Sequence, residues 1–150
     1  MRRRIALAVI PAALCMVLGS TVPASAAPGP ASSTILSGAA EVPGPGDPNG
    51  VGVAVATPQP GQSRVCIDIR YRNIDPPTGA HIHEAPPGVA GPIVVDFTPF
   101  IATSPAGRIR GCTTTTPELA ADIAANPSDY YVNVHNPAFP AGAIRGQLRG

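Results

Sequence analysis

The sequence contains no lysine and no tryptophan, and charged and aromatic residues are both scarce. Of its 150 residues, 13% are charged and 4% are aromatic. All ten basic residues are arginine, and three of them stand directly after the first methionine. The other seven are scattered along the chain against nine acidic residues. The sequence therefore predicts no basic stripe of the kind that binds nucleic acid or an anionic membrane.

Motifs of several enzyme classes are also missing. The sequence has no Gly-x-Ser-x-Gly elbow for a serine nucleophile and no glycine loop of the kind that cradles phosphate. It also has no Cys-x-x-Cys pair for thiol redox chemistry. The lack of a complete catalytic set favours a protein that is not an enzyme.

One long hydrophobic run is present, and it lies near the amino terminus. A basic start is followed by an apolar run from residue 5 to about residue 22, which Pro11 interrupts. Ala24-Ser25-Ala26 then supplies the small residues that precede a signal-peptide cleavage site. The pattern predicts a signal peptide over residues 1–26 rather than a membrane anchor. We therefore expect a secreted, extracellular protein with no membrane association after cleavage.

Removal of that segment leaves two cysteines, Cys66 and Cys112. Two cysteines in an exported domain most often form a disulfide bond. The bond would close a loop of about 47 residues, which the chain-entropy model values at about 4 kcal/mol of stability. A redox-active or metal-binding dithiol is the alternative, but the two cysteines lack the close spacing that it requires.

Alternation of apolar and polar residues dominates the rest of the chain. A short flexible leader is expected over residues 27–32 and a first strand over residues 33–42. The clearest alternation places Val65, Ile67 and Ile69 on one face of a strand. Runs of proline and glycine separate the strands.

A single helix is expected near residue 117, with Thr116 as its N-cap and Pro117 in its first turn. About eight short strands and one short helix define an all-β fold. We predict a Greek-key β-sandwich or barrel over residues 33–150, because strands with one apolar face must bury that face against other strands.

All three histidines fall at non-core positions of predicted strands. His81 and His83 lie two residues apart, so both point to one face, and His135 ends a later strand. The three imidazoles converge if these two strands are neighbours, and such a set suits one copper or zinc ion. Glu84 is a candidate acceptor that orients an imidazole. The alternative is that the histidines form hydrogen bonds that fasten loops to the sheet.

Acidic and basic residues on different strands are candidates for structural ion pairs. The candidates are Glu41, Asp68 and Asp96 on one side and Arg145, Arg70 and Arg110 on the other. Such pairs hold strand register more often than they catalyse reactions. We assign Glu41 and Arg145 as candidates for structural pairing.

Four motifs, taken together, resemble the chordin-type domain, called CHRD. They are LSGAAEVP at 36–43, AHIH at 80–83 followed by GVAGPIVV at 88–95, YVNVH at 131–135 and GAIRGQL at 142–148. The resemblance covers residues 34–150. It implies an extracellular all-β domain that occurs in animal chordins, beside modules that bind growth factors, and in bacterial secreted proteins. It further implies a non-enzymatic binding or structural module whose partner is an extracellular protein or a cell-surface component.

A looser resemblance concerns the histidine strands. GAHIHE at 79–84 and VNVH at 132–135 are similar to copper-binding strands of Cu/Zn superoxide dismutases, which are also Greek-key barrels with an internal disulfide bond. This resemblance implies that His81, His83 and His135 are copper ligands. The chain has no fourth histidine to bridge to a second metal, and the loop after His83 is short. A mononuclear copper or zinc protein is therefore the alternative function, and a full dismutase is not expected.

Overall fold

The computed structural model describes residues 29–150, and the predicted signal peptide, residues 1–26, lies outside the described residues. The elements are β1 (Ser32–Ser37), β2 (Val51–Gln59), β3 (Arg64–Arg72), β4 (Gly79–Glu84), β5 (Ile93–Asp96), β6 (Arg108–Thr114), α1 (Pro117–Ala125), β7 (Tyr130–His135) and β8 (Ile144–Gln147). Four short 3-10 turns connect them, at Gly38–Ala40, Pro60–Gln62, Thr98–Phe100 and Pro127–Asp129.

The eight strands form one antiparallel sheet that curls into a nearly closed barrel. Their order in the sheet is β5-β4-β7-β8-β1-β2-β3-β6. Three of the neighbouring pairs, β4 with β7, β8 with β1 and β3 with β6, are distant in sequence. Over residues 29–150, the all-β prediction of about eight strands with one short helix is confirmed.

The interior of the barrel is filled by the residues that alternation predicted. Val65, Ile67 and Ile69 of β3 are all buried, and Ala54 and Ala56 of the neighbouring β2 are fully buried beside them. Alternate residues of each strand point to the same face, so one strand contributes every second side chain to the core. Burial of these apolar side chains supplies the main driving force for folding.

Helix α1, the one α-helix among residues 29–150, begins where its N-cap was predicted. The Thr116 hydroxyl accepts a hydrogen bond from the Leu119 N–H at 3.1 Å, and Pro117 occupies the first turn. Ala120 and Ile123 are the buried residues of α1, which packs against β2. Among residues 29–150, no helix combines the length and the apolar character needed to cross a membrane.

The first strand differs from its predicted span at both ends. It ends at Ser37 instead of residue 42, because the chain folds back through the turn at Gly38. A Cβ atom at Gly38 would lie 1.9 Å from the Asp47 carbonyl oxygen, so this approach requires glycine. At the other end the strand already begins at Ser32, and the Gly29 N–H donates a hydrogen bond to the Pro58 carbonyl. The end of the predicted leader therefore contacts the domain.

The predicted disulfide bond between Cys66 and Cys112 is confirmed. The two residues lie directly opposite each other on β3 and β6, with 3.9 Å between their Cα atoms. Strand β6 is an edge of the sheet, and other parts of the chain cover it. The Ser104 hydroxyl accepts a hydrogen bond from the Arg110 N–H at 2.9 Å, and the Phe100 ring packs where a Cβ atom of Gly111 would lie.

Four arginines that are scattered in the sequence lie close together on one face of the sheet. Strands β3 and β6 bring Arg70, Arg72, Arg108 and Arg110 onto the outer face of the sheet, around the single carboxylate of Asp68. These arginines are scattered in the sequence because they belong to strands about forty residues apart, and only the pairing of β3 with β6 juxtaposes them.

Candidate functional site: a histidine cluster beneath a loop

Strands β4 and β7 are neighbours, and their pairing brings the three histidines together. Gly79 pairs with His135, and His81 pairs with Asn133. His81, His83 and His135 each offer one nitrogen atom, and these atoms all lie within 4.8 Å of one another. The ring centroids are 4.9 Å apart for His81 and His135, 5.6 Å for His81 and His83 and 6.4 Å for His83 and His135.

The absence of a side chain at Gly79 makes this arrangement possible. A Cβ atom at that position would lie 3.0 Å from the Cε1 atom of His81 and 3.3 Å from the Cδ2 atom of His135. Both contacts are tighter than ordinary carbon contacts, which lie near 3.5–4.0 Å. A larger residue at position 79 would therefore push the two rings apart.

Backbone carbonyl groups hold two of the three rings. The Nδ1 atom of His83 lies 2.9 Å from the Gly91 oxygen, and the Nδ1 atom of His135 lies 3.0 Å from the Pro140 oxygen. A carbonyl oxygen only accepts, so the Nδ1 atom of His83 carries the proton and its Nε2 atom presents a lone pair. The His83 Nε2 is buried and has no hydrogen-bond partner within residues 29–150.

The third nitrogen is in contact with an amide. The Nε2 atom of His135 lies 3.1 Å from the Oδ1 atom of Asn133, a residue that is 2% exposed. Both nitrogens of His135 therefore face acceptor oxygens, and the neutral ring donates to only one of them. An ion bound at His135 would replace this amide contact.

His81 is held by a side chain from the edge strand β5. Its Nε2 atom lies 3.5 Å from an Asp96 carboxylate oxygen and 3.2 Å from the Thr98 hydroxyl oxygen. Its other nitrogen, Nδ1, is buried without a partner among the described residues. Glu84, which the sequence suggested for this role, is exposed. Asp96 takes the role because it is the register partner of His81 across β4 and β5.

A covering loop, residues 85–92, closes over the outer face of β4, β7 and β8. The Arg145 guanidinium donates to the Val89 carbonyl at 2.8 Å, and the Tyr131 hydroxyl accepts from the Gly91 N–H at 3.2 Å. The Tyr131 ring is stacked on His83, with 4.7 Å between centroids, and the Arg145 guanidinium carbon lies 3.4 Å from the centroid of the same ring. The loop explains why the predicted polar face of these strands is buried.

The two residues assigned to structural pairing, Glu41 and Arg145, lie near each other beside this cluster. Both are buried, at 5% and 2% exposure. Burial raises the pKa of Glu41 to about 7, and the positive charge of Arg145 opposes that rise. Glu41 and Arg145 make no nitrogen–oxygen contact within 4.0 Å, so they do not form an ion pair. Within residues 29–150, two pairs do meet this distance, Asp68 with Arg108 and His81 with Asp96.

All three imidazoles favour the neutral form. Burial, with the neighbouring His135 acting in the same direction, lowers the pKa of His81 to about 4. Burial also lowers the pKa of His83 and of His135. At neutral pH the rings therefore carry lone pairs rather than a second proton, which is the state that metal binding requires.

The geometry of the cluster suits one small metal ion. Three atoms that are no more than 4.8 Å apart all lie within about 2.8 Å of a common point. Zinc–nitrogen bonds measure about 2.0–2.1 Å, so the rings would move inward by less than about 1 Å each to bind an ion. Three imidazoles with an open fourth position are a common ligand set for zinc and also suit copper.

A pH-dependence of stability follows from His81 and Glu41, and the two act in opposite directions. The pKa of His81 falls from 6.5 to about 4 on folding. The unfolded state therefore takes up a proton first, and the folded state loses stability as the pH falls below about 6.5. The pKa of Glu41 rises from 4.5 to about 7, so its folded form gains stability as the pH falls from 7. Between pH 7 and pH 5 each effect amounts to about 2 kcal/mol.

Single substitutions should therefore separate the two effects. On acidification from pH 7 to pH 5, we expect Glu41→Gln to lose about 2 kcal/mol more free energy of unfolding than the wild type and His81→Gln to lose about 2 kcal/mol less. Urea unfolding at both pH values, with a chelator present, measures this. His83 and His135 are present in all three proteins, so their contributions cancel. Parallel pH profiles for the three proteins would contradict the expectation.

The fold and this site define an all-β domain with an internal disulfide bond and a partly buried histidine cluster on the outside of its barrel. A family model describes that class more closely. The CHRD domain model matches residues 32–148, and the chain belongs to the CHRD domain family, an extracellular-type domain of non-enzymatic kind. Comparison with curated proteins and with solved structures gave no match. The likeness of the histidine strands to superoxide dismutases therefore remains an interpretation of local sequence.

Proposed function

We propose that this CHRD-domain protein is exported and binds one Cu(II) or Zn(II) ion through His81, His83 and His135, without acting as an enzyme. One observation carries the proposal. Each imidazole has a nitrogen held by an oxygen of the protein, and the three rings offer one nitrogen each within 4.8 Å of one another. Acceptors behind the ligands in this way fix the tautomer and the orientation of metal-binding histidines.

Histidines that only fasten loops to the sheet would use both ring nitrogens. Instead, the Nδ1 atom of His81 and the Nε2 atom of His83 are buried without a partner among the described residues. A buried polar atom without a hydrogen bond costs about 1–3 kcal/mol. A metal ion at the shared point would satisfy both atoms, and this favours the metal site over the fastening role.

The donor set suits both copper and zinc. Imidazole nitrogen binds Cu(II) more tightly than Zn(II) in the general order of first-row metals, so availability and geometry decide between these two. Asp96 behind His81 would raise the basicity of that ligand. We propose binding of one metal ion only, because the sequence has no fourth histidine that could bridge to a second ion.

Export is part of the proposal, and three observations support it. The sequence opens with a basic start, an apolar run and small residues before position 27. The domain belongs to an extracellular-type family. The Cys66–Cys112 bond is typical of an oxidising compartment. Sequencing the amino terminus of the protein recovered from the culture medium would test cleavage before Ala27.

Calorimetric titration of the metal-free protein with CuCl₂ tests the binding site. We expect one equivalent of Cu(II) to bind and a His81→Ala/His83→Ala variant to lose at least about 100-fold in affinity, since two of three ligands are gone. Asp96→Asn should keep the ligands and lose about tenfold or more. Electron paramagnetic resonance of the copper form should show nitrogen couplings.

Glu84→Gln is the matched control for this titration. It lies on the same strand as His81 and His83, and it removes a carboxylate that is exposed. Its copper affinity should equal that of the wild type. Equal uptake by the wild type and by the His81→Ala/His83→Ala variant would reject a specific site, as would the absence of any uptake.

A further inference from the structure

Four arginines lie on the outer face of β3 and β6, and we call this group the arginine face. Its members are Arg70, Arg72, Arg108 and Arg110. The register places Arg70 of β3 directly opposite Arg108 of β6. Like charges at directly opposite positions of a sheet are destabilising. Four arginines against the carboxylate of Asp68 leave a formal excess of three positive charges on the face.

Asp68 is committed to one of the four arginines. Its carboxylate accepts from Nε of Arg108 at 2.9 Å and also from Nη2 of that residue. The guanidinium groups of Arg70, Arg72 and Arg110 make no ion pair and no hydrogen bond with any other residue between 29 and 150. All three are exposed. Three rigid hydrogen-bonding forks therefore face solvent side by side.

An apolar row continues the same face onto β2 and β1. Val53 pairs with Arg70 on one side and with Ile35 on the other. Ile35 is 77% exposed and Val53 is 49% exposed. An open groove of about 460 Å³ runs between the row and the arginines, and its lining includes Ile35, Val53, Arg70 and Arg72.

We propose that this face binds a protein segment that presents carboxylate groups beside an apolar side chain. Guanidinium groups pair with carboxylates through two parallel hydrogen bonds, and Arg70 and Arg72 are placed to do so. An exposed apolar row beside them would be buried by a leucine-like side chain. A polyanionic sugar would use the arginines but would leave Ile35 and Val53 uncovered.

A second copy of this chain fits the face poorly. A symmetric dimer places the same patch on both partners, so the arginine face of one copy would oppose that of the other. The face also lies on β1, β2, β3 and β6, whereas the histidine cluster lies on β4 and β7. The two proposals therefore stand or fall separately.

Fluorescence anisotropy with a labelled peptide of alternating glutamate and leucine tests the proposal on the intact protein. We expect saturable binding that weakens as salt is raised, because the contacts are between charges. Arg70→Glu/Arg72→Glu should weaken binding by at least about tenfold. Ile35→Ser/Val53→Ser should also weaken it, by about tenfold, because the apolar contact is lost. Arg70→Gln/Arg72→Gln serves if the glutamate variant does not fold.

Arg64→Glu is the control for charge reversal, because it reverses the charge of one arginine on the same strand about 20 Å away from Arg70. Its affinity should stay within about twofold of the wild type. An alternating glutamate–serine peptide or dextran sulfate that binds as tightly as the glutamate–leucine peptide would overturn the proposal. Three other results would also overturn it. They are the absence of binding, an equal loss of affinity for Arg64→Glu and for Arg70→Glu/Arg72→Glu, and the formation of a dimer through the face.

Discussion

Replacing Cys66 and Cys112 together by serine is expected to lower the free energy of unfolding by about 4 kcal/mol. The bond joins residues 46 positions apart, so it restricts a large part of the unfolded chain. A domain of this size is stable by only about 5–15 kcal/mol, so the loss is a large share of the total. Urea unfolding of the two proteins under oxidising conditions measures the difference.

Reduction of the wild type supplies the control for this prediction. Dithiothreitol should shift the unfolding midpoint of the wild type to that of the Cys66→Ser/Cys112→Ser variant and should leave the variant unchanged. A difference below about 1 kcal/mol between the oxidised wild type and the variant would show that the bond does not stabilise the fold.

Replacing Arg145 by alanine is expected to cost about 3 kcal/mol. The side chain is 2% exposed, and its loss leaves the carbonyl of Val89 without its donor. It also removes a cation from the face of the Tyr131 ring, an interaction worth about 2 kcal/mol when it is shielded from water. Because these contacts hold the covering loop, hydrogen exchange at residues 85–92 should accelerate as well.

Two variants give this second prediction its controls. Arg149→Ala removes an exposed arginine from the same end of the chain and should change stability by less than about 0.5 kcal/mol. Arg145→Lys keeps the charge but loses the planar fork, so its cost should be intermediate. If Arg145→Ala were as stable as the wild type, the guanidinium would not be what holds the loop.

The fold was largely accessible from the sequence because it depends on local patterns. Alternation in β3, the Thr116 cap of α1 and the two remaining cysteines each act over a few residues or through simple chemistry, and all three predictions are confirmed. The end of the first strand was predicted wrongly. It depends on Gly38 allowing the backbone of Asp47 to approach, which is a contact with a later loop.

The histidine cluster was only partly accessible. The sequence named its three members, but it did not show that β4 pairs with β7, which is what brings them together. It also proposed Glu84 where the structure places Asp96, because the partner of His81 comes from the register of β5. The sequence did not predict the roles of Asn133, Tyr131 and the covering loop. Alternation places Tyr131 and Asn133 on the solvent-facing side of β7, and only the packing of the loop buries these side chains.

The arginine face was not predicted either, because it depends on which strands are paired. Counting charges along the chain correctly gave a near balance, yet β3 and β6 collect four of the arginines on one surface. Charge balance is a property of composition, whereas a charged face is a property of strand pairing. Only the second decides what the surface attracts.

The cover over strand β6 bears on how the protein behaves at high concentration. An uncovered edge strand is a template on which another chain can add a strand, and such addition leads to aggregates. Here the Ser104 hydroxyl already satisfies the outward N–H of Arg110, and two arginines in β6 charge the edge. A β6 strand arriving from a second copy of the chain would have to break that hydrogen bond and would bring two arginines of the same charge. The edge therefore favours solubility, and recognition is left to the faces of the sheet.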